Sequence, residues 1–262
     1  MDKLLFGQAL GIEEPVYVDE VKFKKSDGEL HIYLDFYRGG HFKCAVCGDG
    51  YTTVHDTVEK CWRHLNFFQY KCYLHFHVPR TICPNCGIHM YQVPWSRPGS
   101  GFTLLFEMLI MTLAKELAVL QIARMIDEYD TKVWRIIRHY VKKLWAETSF
   151  EGLRRLGVDE TSSRRGHKYV TVFSDLDERK VVYVTEGKEA QTIERFSQEL
   201  GSHQASAGQI EEVTMDMSAA FISGVGKTFP EAEITFDKFH IIKHLNEALD
   251  EVRRQEQKQN PA

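Results

Sequence analysis

Two short stretches of the same form, Cys44-Ala-Val-Cys47-Gly48 and Cys83-Pro-Asn-Cys86-Gly87, constrain this chain more than anything else in it. Two residues between thiolates let one tight turn aim both sulfurs at a single ion, and a following glycine can take the positive φ such a turn needs. Two knuckles complete a closed tetrahedron of four thiolates, which is structural rather than catalytic. The competing readings are two redox CxxC motifs or four unrelated buried cysteines. The 35 residues between the knuckles fit a β-hairpin, and a module this small needs its Zn²⁺ to fold. Its usual task is to present a rigid surface, often to nucleic acid. The first 20 residues hold one lysine and a short apolar piece soon broken by acids, which is not a secretory leader. A cytoplasmic location with reduced thiols is expected, so six cysteines point to metal before disulfides. Cys61 and Cys72 lack partners at ligand spacing and are expected in the core. One of His41, His55, His64, His75, His77 and His89 replacing a thiolate is the weaker reading.

At 262 residues the chain has room for two or three domains, and its net charge of −4 means that any nucleic-acid surface must be local. The longest apolar region, 102–113, is broken by Glu107 and too short to cross a bilayer, so no membrane partner is expected. Residues 30–93 are rich in Cys, His and aromatics. Within them, Tyr70, Cys72, Leu74, Phe76 and Val78 alternate with Lys71, Tyr73, His75 and His77 as a strand does. "PWSRPGSG" (94–101) reads as a linker. Four segments are expected: an N-terminal extension (1–37) with a strand near "VYV", a zinc-binding domain (38–95), a helical segment (100–148) and a strand-and-helix domain (153–262).

The helical segment reads as a helix-turn-helix. One helix runs to Ile126, the acidic "DEYD" breaks the pattern, and Thr131 is placed to cap a second helix. In that helix Val133, Ile137, Tyr140 and Leu144 are expected to face inward. Lys132, Arg135, His139 and Lys142 share an outward face, with Arg138 beside them, and residues 131–143 contain no acid. Such a bias suits a recognition helix on double-stranded DNA, with phosphate-binding cations beside side chains near base edges. A solvated basic face is the plainer alternative.

In 153–175, "LRRLGVDETSSRRGHKYVTVFSD", an apolar approach delivers Asp159 to the middle of an expected strand, 156–160. The pattern continues as strands 167–174 and 180–186, helix 189–201, strand 212–216, helix 217–227, strand 232–237 and helix 239–255. Three strands followed by helix, strand, helix, strand, helix is the element order of the ribonuclease-H-like fold. Asp216 ends the fourth strand, which neighbours the first in that fold. Two carboxylates so placed can share divalent cations, and two metals about 3.5–4 Å apart serve phosphodiester chemistry. Oxygen donors suit Mg²⁺ or Mn²⁺. Either acid alone would more commonly cap the next helix.

The ordered set "CAVCG…CPNC", "WRHL" (62–65), the helix-turn-helix, "LGVDETSSRRGHKYVTVFSDLD", "VTMDMSAAF" and "PEAEITFDKFHIIKHLNEALDEVRR" resembles the ISL3 family of bacterial insertion-sequence transposases from about residue 40 onward. The resemblance implies a multidomain α+β chain: an N-terminal zinc ribbon, a DNA-binding helix-turn-helix, and a C-terminal, partial ribonuclease-H-like DDE domain that cleaves and joins transposon ends with divalent metal. It implies that Asp159 and Asp216 are the first two acids of the catalytic triad, and that the protein acts as a homo-oligomer on nucleoid DNA, with no small-molecule substrate. The family's third acid, a Glu beyond a long helical insertion, has no counterpart before Ala262. Glu247 and Glu251 are the nearest substitutes, Asp237 in "FDKFH" is a supporting position or a helix cap, and His240 is expected to be packed. A truncated transposase is therefore expected. The alternative is a catalytically inactive DNA-binding remnant that represses transposition.

Overall fold

The computed structural model describes residues 2–48, 53–164, 166 and 168–259, which pack as two units divided between Val141 and Lys142. In the first unit the period-two pattern produces a long hairpin, β3 (Thr53–Phe67) and β4 (Tyr70–Cys83), paired antiparallel. Cys72, Leu74, Phe76 and Val78 are buried on one face of β4, as the alternation requires. Along the other edge of β4 lies first β2 (Glu29–Phe36), in parallel, and then the short antiparallel β5 (Gly87–Met90). β1 (Val16–Lys24) pairs antiparallel with β2. The supposed extension 1–37 thus supplies two strands of the zinc module's own sheet. The reason is legible in β2, where Leu30, Ile32 and Leu34 alternate with polar residues and become fully buried only against the β4 face.

A second departure concerns 94–101, which is not a free linker. The Arg63 amide donates to the Gly101 carbonyl (2.9 Å), the Thr103 amide to the Arg63 carbonyl (3.0 Å), and the Leu104 amide to the Trp95 carbonyl (2.8 Å). Trp95 packs edge-on against Trp62, so the segment is bound to β3 by backbone and ring alike. One helix, α1 (Asp2–Leu10), opens the chain ahead of β1. After the 94–101 segment, α2 (Leu104–Leu113), α3 (Val119–Ile126) and α4 (Asp130–Glu147) build a separate core. Phe102, Phe106, Ile110, Ile122, Ala123, Ile126, Val133 and Ile136 fill it.

The second unit has the expected element order. β6 (Arg155–Arg164), β7 (Lys168–Asp175) and β8 (Lys180–Glu186) form an antiparallel meander. The first residue of the expected strand 167–174 lies outside the described residues. At the β7–β8 turn the Asp175 carboxylate accepts from the amides of Asp177 and Glu178 (3.0 Å each). Then come α5 (Gln191–Ser202), β9 (Glu212–Met215), α6 (Ala219–Thr228), β10 (Glu233–Phe236) and α7 (Lys238–Gln259). The sheet order is β10-β9-β6-β7-β8, with β9 parallel to both its neighbours. Leu156, Val158, Phe173, Val213, Met215, Phe196, Leu200, Phe221 and Val225 make its core, between one face of the sheet and helices α5 and α6. Gly224 allows those helices to meet: a Cβ there would lie 2.9 Å from Ile193 Cγ1 and 3.1 Å from the Ala190 carbonyl oxygen.

Candidate functional site

The two knuckles come together as their spacing predicts. The β3–β4 hairpin spans the interval between them, and Gly48 and Gly87, the residues after each pair, have φ of 77° and 85°. The sulfurs of Cys44, Cys47, Cys83 and Cys86 all lie within 4.8 Å of one another, and Cys47 and Cys83 are 3.6 Å apart. A tetrahedron with zinc–sulfur bonds of about 2.3 Å has edges of about 3.8 Å, so the donor set fits structural Zn²⁺ with no open position. Amides of Cys47 and Val46 draw the Cys44 thiol down to about 6, while hydrogen bonding to Cys47 pushes Cys86 up to about 12. No histidine is needed in the set. Of the two remaining cysteines, Cys72 is buried as expected, but Cys61 is exposed, because it falls on the outer face of β3.

The helix-turn-helix is α3, a three-residue turn and α4. Asp127 ends α3 in the left-handed region (φ 52°, ψ 55°), which an Asp tolerates better than most residues. α4 starts at Asp130, one residue before the expected cap, with the Asp130 carboxylate accepting from the Thr131 amide at 2.7 Å. Its inward face also differs from expectation. Val133 and Ile136 are the buried pair, Ile137 and Tyr140 are half-buried, and Leu144 is 60% exposed. Arg135, Arg138, His139 and Lys142 lie on the uncovered side of α4, whereas Lys132 is committed elsewhere. Its ammonium donates to Glu128 at 2.7 Å and lies over the rings of Tyr129 and Phe102.

Sequence reasoning missed what Arg63, in "WRHL", does. Its side chain is 3% exposed and donates to the carbonyls of His64 and Cys72 and to the Asn66 side chain, between the rings of Tyr73 and Phe106. Trp62 packs in the sheet core, His64 Nδ1 lies 2.9 Å from Thr103 Oγ1 at the start of α2, and Leu65 packs on the helical core. The four residues thus tie the zinc-bearing sheet to the helix-turn-helix. The alternation of large side chains was visible; that an arginine would be buried was not.

The acids of the second unit line up. Val158 pairs with Met215, and Met215 with Phe236, across three adjacent parallel strands. Asp159, Asp216 and Asp237 each come one residue later, within β6 and just past the ends of β9 and β10. Being one step beyond buried core residues, Asp159 and Asp216 belong to the opposite face. The ladder continues to Asp237, whose amide donates to the Met215 carbonyl at 2.8 Å. Oδ1 of Asp159 accepts from the Glu160 amide and Oδ1 of Asp216 from the Ser218 amide, and among the described residues neither acid is paired with a cation. Two carboxylates on neighbouring strands without a cation are a donor set that fits a divalent, oxygen-preferring metal. Asp237 is more committed: it caps α7 through the Phe239 amide (2.9 Å) and lies 3.4 Å from His240 Nδ1. Among the described residues no third acid joins Asp159 and Asp216 closely enough to complete a three-ligand cluster. Glu247 and Glu251 are not brought there. Glu247 lies nine residues into α7, about 14 Å along its axis, exposed and paired with His244.

Comparison with known proteins gives three successive family matches. Residues 41–86 match the zinc-finger of transposases IS204/IS1001/IS1096/IS1165, residues 92–141 the helix-turn-helix domain of transposase family ISL3, and residues 156–262 the DDE transposase domain of that family. The chain is 29% identical over 263 aligned residues to the transposase for insertion sequence element IS1557 of Mycobacterium tuberculosis, covering 95% of this chain and 57% of that protein. It is 26% identical over 249 residues to the transposase for IS1001 of Bordetella parapertussis, covering 94% of this chain and 61% of that one. The chain therefore spans about three-fifths of the length of these curated relatives. Among the described residues no helix is long and apolar enough to cross a membrane. With the zinc knuckles, the helix-turn-helix and the DDE domain each matched in the same order along the chain, it belongs to the ISL3 family of insertion-sequence transposases.

Proposed function

We propose that this chain binds the ends of its insertion element and carries the first two catalytic carboxylates for cutting and joining DNA strands, working in the bacterial cytoplasm as a homo-oligomer. The observation that carries the reading is the in-register placement of Asp159 and Asp216, one residue beyond the paired Val158 and Met215. A Mg²⁺ or Mn²⁺ ion held there would neutralise phosphate charge and activate an attacking oxygen. Asp159 and Asp216 each give one carboxylate oxygen to a backbone amide, which fixes the orientation of the other oxygen. Asp237 helps by fixing the start of α7 beside Asp216 and adds negative charge to the row, without being a ligand in this arrangement. Arg135, Arg138, His139 and Lys142 supply the phosphate contacts, and the zinc ribbon holds the sheet on which the helix-turn-helix is mounted. The four domain segments, 1–37, 38–95, 100–148 and 153–262, describe this division of labour, with the first serving the second as two added strands.

A supercoiled plasmid carrying the element's inverted repeats, incubated with the zinc-loaded chain and Mn²⁺, tests the proposal. Nicking is expected from the wild type and not from Asp159→Asn or Asp216→Asn. The absence of a third acid beside the pair, among the described residues, favours one other reading, a DNA-binding repressor of transposition. Retention of the repeats with no nicking under any metal would select it.

A further inference from the structure

Trp134, Val141 and Leu144 are the large apolar residues exposed on α4, and Trp134 is the aromatic one among them, near the start of the helix. Trp134 is 44% exposed, lies outside the hydrophobic core of the helical segment, and is placed a turn after Thr131 and a turn before Arg138. Spacings of three and four put Thr131, Trp134, Arg135 and Arg138 on one face. Val133, Ile136, Ile137 and Tyr140 occupy the opposite, core-facing side. The Arg138 guanidinium lies 5.8 Å from the Trp134 ring centre, so the indole supports the arginine while its remaining surface faces outward. Near the helix start the groups sharing this face are Thr131, Arg135 and Arg138, with Val141 and Lys142 following a turn later and Asp130 turned to its own Thr131 amide.

A large apolar ring flanked by two arginines, in the first three turns of the second helix of a helix-turn-helix, fits an occupant that is both polyanionic and apolar at one point. Duplex DNA provides that combination: phosphates line the major groove, and the thymine 5-methyl is the apolar group exposed on its base edges. We propose that Trp134 reads sequence, by packing on a thymine methyl, while Arg135 and Arg138 hold the helix in the groove. Lys132 takes no part, since its ammonium is held by Glu128. The inference rests on the DNA-binding reading above and adds to it the residue that sets base preference.

The test uses the whole zinc-loaded chain and a pool of duplexes with a randomised central segment, from which wild type and Trp134→Gln each select. The selected wild-type duplex is then remade with deoxyuridine at each thymine in turn, which removes the methyl and nothing else. Wild type is expected to lose affinity about four-fold at one or two of these positions, the effect of one methyl group's burial. Trp134→Gln is expected to be indifferent to the replacement, to lose preference at the same positions, and to keep the wild-type dependence of affinity on salt. Deoxyuridine tolerated at every position by wild type, or an unchanged sensitivity in Trp134→Gln, would overturn the role of Trp134 while leaving DNA binding intact. Failure of wild type to retain any duplex would overturn the DNA-binding reading itself. Because the methyl deletion is made in the DNA, tolerance of deoxyuridine by the wild type refutes the proposal even if Trp134→Gln folds poorly, and Trp134→Phe, which keeps an apolar ring, is expected to retain part of the sensitivity that Trp134→Gln loses.

Discussion

Glu107 has no solvent-exposed surface, yet its carboxylate is fully engaged: Arg97 donates at 2.9 Å, Ser100 at 2.6 Å and the Tyr140 hydroxyl at 2.7 Å. Burial, and then the hydrogen bond to Glu107, push the Tyr140 phenol up to about 12. A buried acid held by three donors from the 97–100 segment and α4 stabilises only while all are present. Removing it leaves Arg97 without a counter-ion in a half-dry site. Glu107→Ala is expected to cost about 3–5 kcal/mol in urea denaturation, and Tyr140→Phe about 1 kcal/mol. Similar losses from the two variants would contradict this account of the cluster. His64 gives a pH-dependent counterpart. Burial first, and then the charge of Arg63, hold its pKa below 6.5, so the folded state binds fewer protons than the unfolded chain in the acidic range. Stability is then full above pH 6.5 and falls as the pH drops from that value through the folded one. The urea midpoint of the wild type should therefore decline between about pH 7.5 and pH 5.5 more than that of His64→Gln. Equal declines would show that His64 takes no part.

Among the elements, β5 and the two knuckles depend most on what the chain binds. β5 has four residues and turns directly out of Cys86, so the metal replaces the long ladder that a short strand lacks. Chelation of zinc, or Cys83→Ser, is expected to expose the segment 41–90. Trypsin should then cut after Lys43 and Arg80 within minutes, with residues 142–259 still protected. Unchanged protection of 41–90 without metal would mean that the hairpin core suffices. Much at this scale was legible in the sequence, because the signals were local. The period-two run gave β4, the CxxC spacing gave the metal set, and Asp-Glu-Tyr-Asp gave the helix-turn-helix break. What failed was non-local. β2 is committed to the sheet by parallel pairing with residues about 40 positions away, which no local pattern reports. Leu144 has helical spacing from Val133 and Tyr140, yet it is 60% exposed and takes no part in the core that Val133 helps to fill.

For the molecule as a whole, the row of acids was the most informative prediction and also the least complete. Apolar runs located the ends of β6 and β9, and the element order made them neighbours, so Asp159 and Asp216 were expected on adjacent strands, and Val158 does pair with Met215 just before them. Asp237 joins the row because β10 pairs with β9 in the register that brings Phe236 beside Met215. That register was not legible; a helix cap was one of the two roles expected of Asp237, but its contact with His240 was not expected. The proposed chemistry requires Asp159 and Asp216 together to hold a divalent cation. The most direct measurement is Mn²⁺ titration of the zinc-loaded chain, followed by the electron paramagnetic resonance of the free ion, for wild type, Asp159→Asn and Asp216→Asn. Uptake at a site weakened roughly tenfold or more by either substitution alone is the expected result. Identical uptake by all three proteins would contradict a shared metal site.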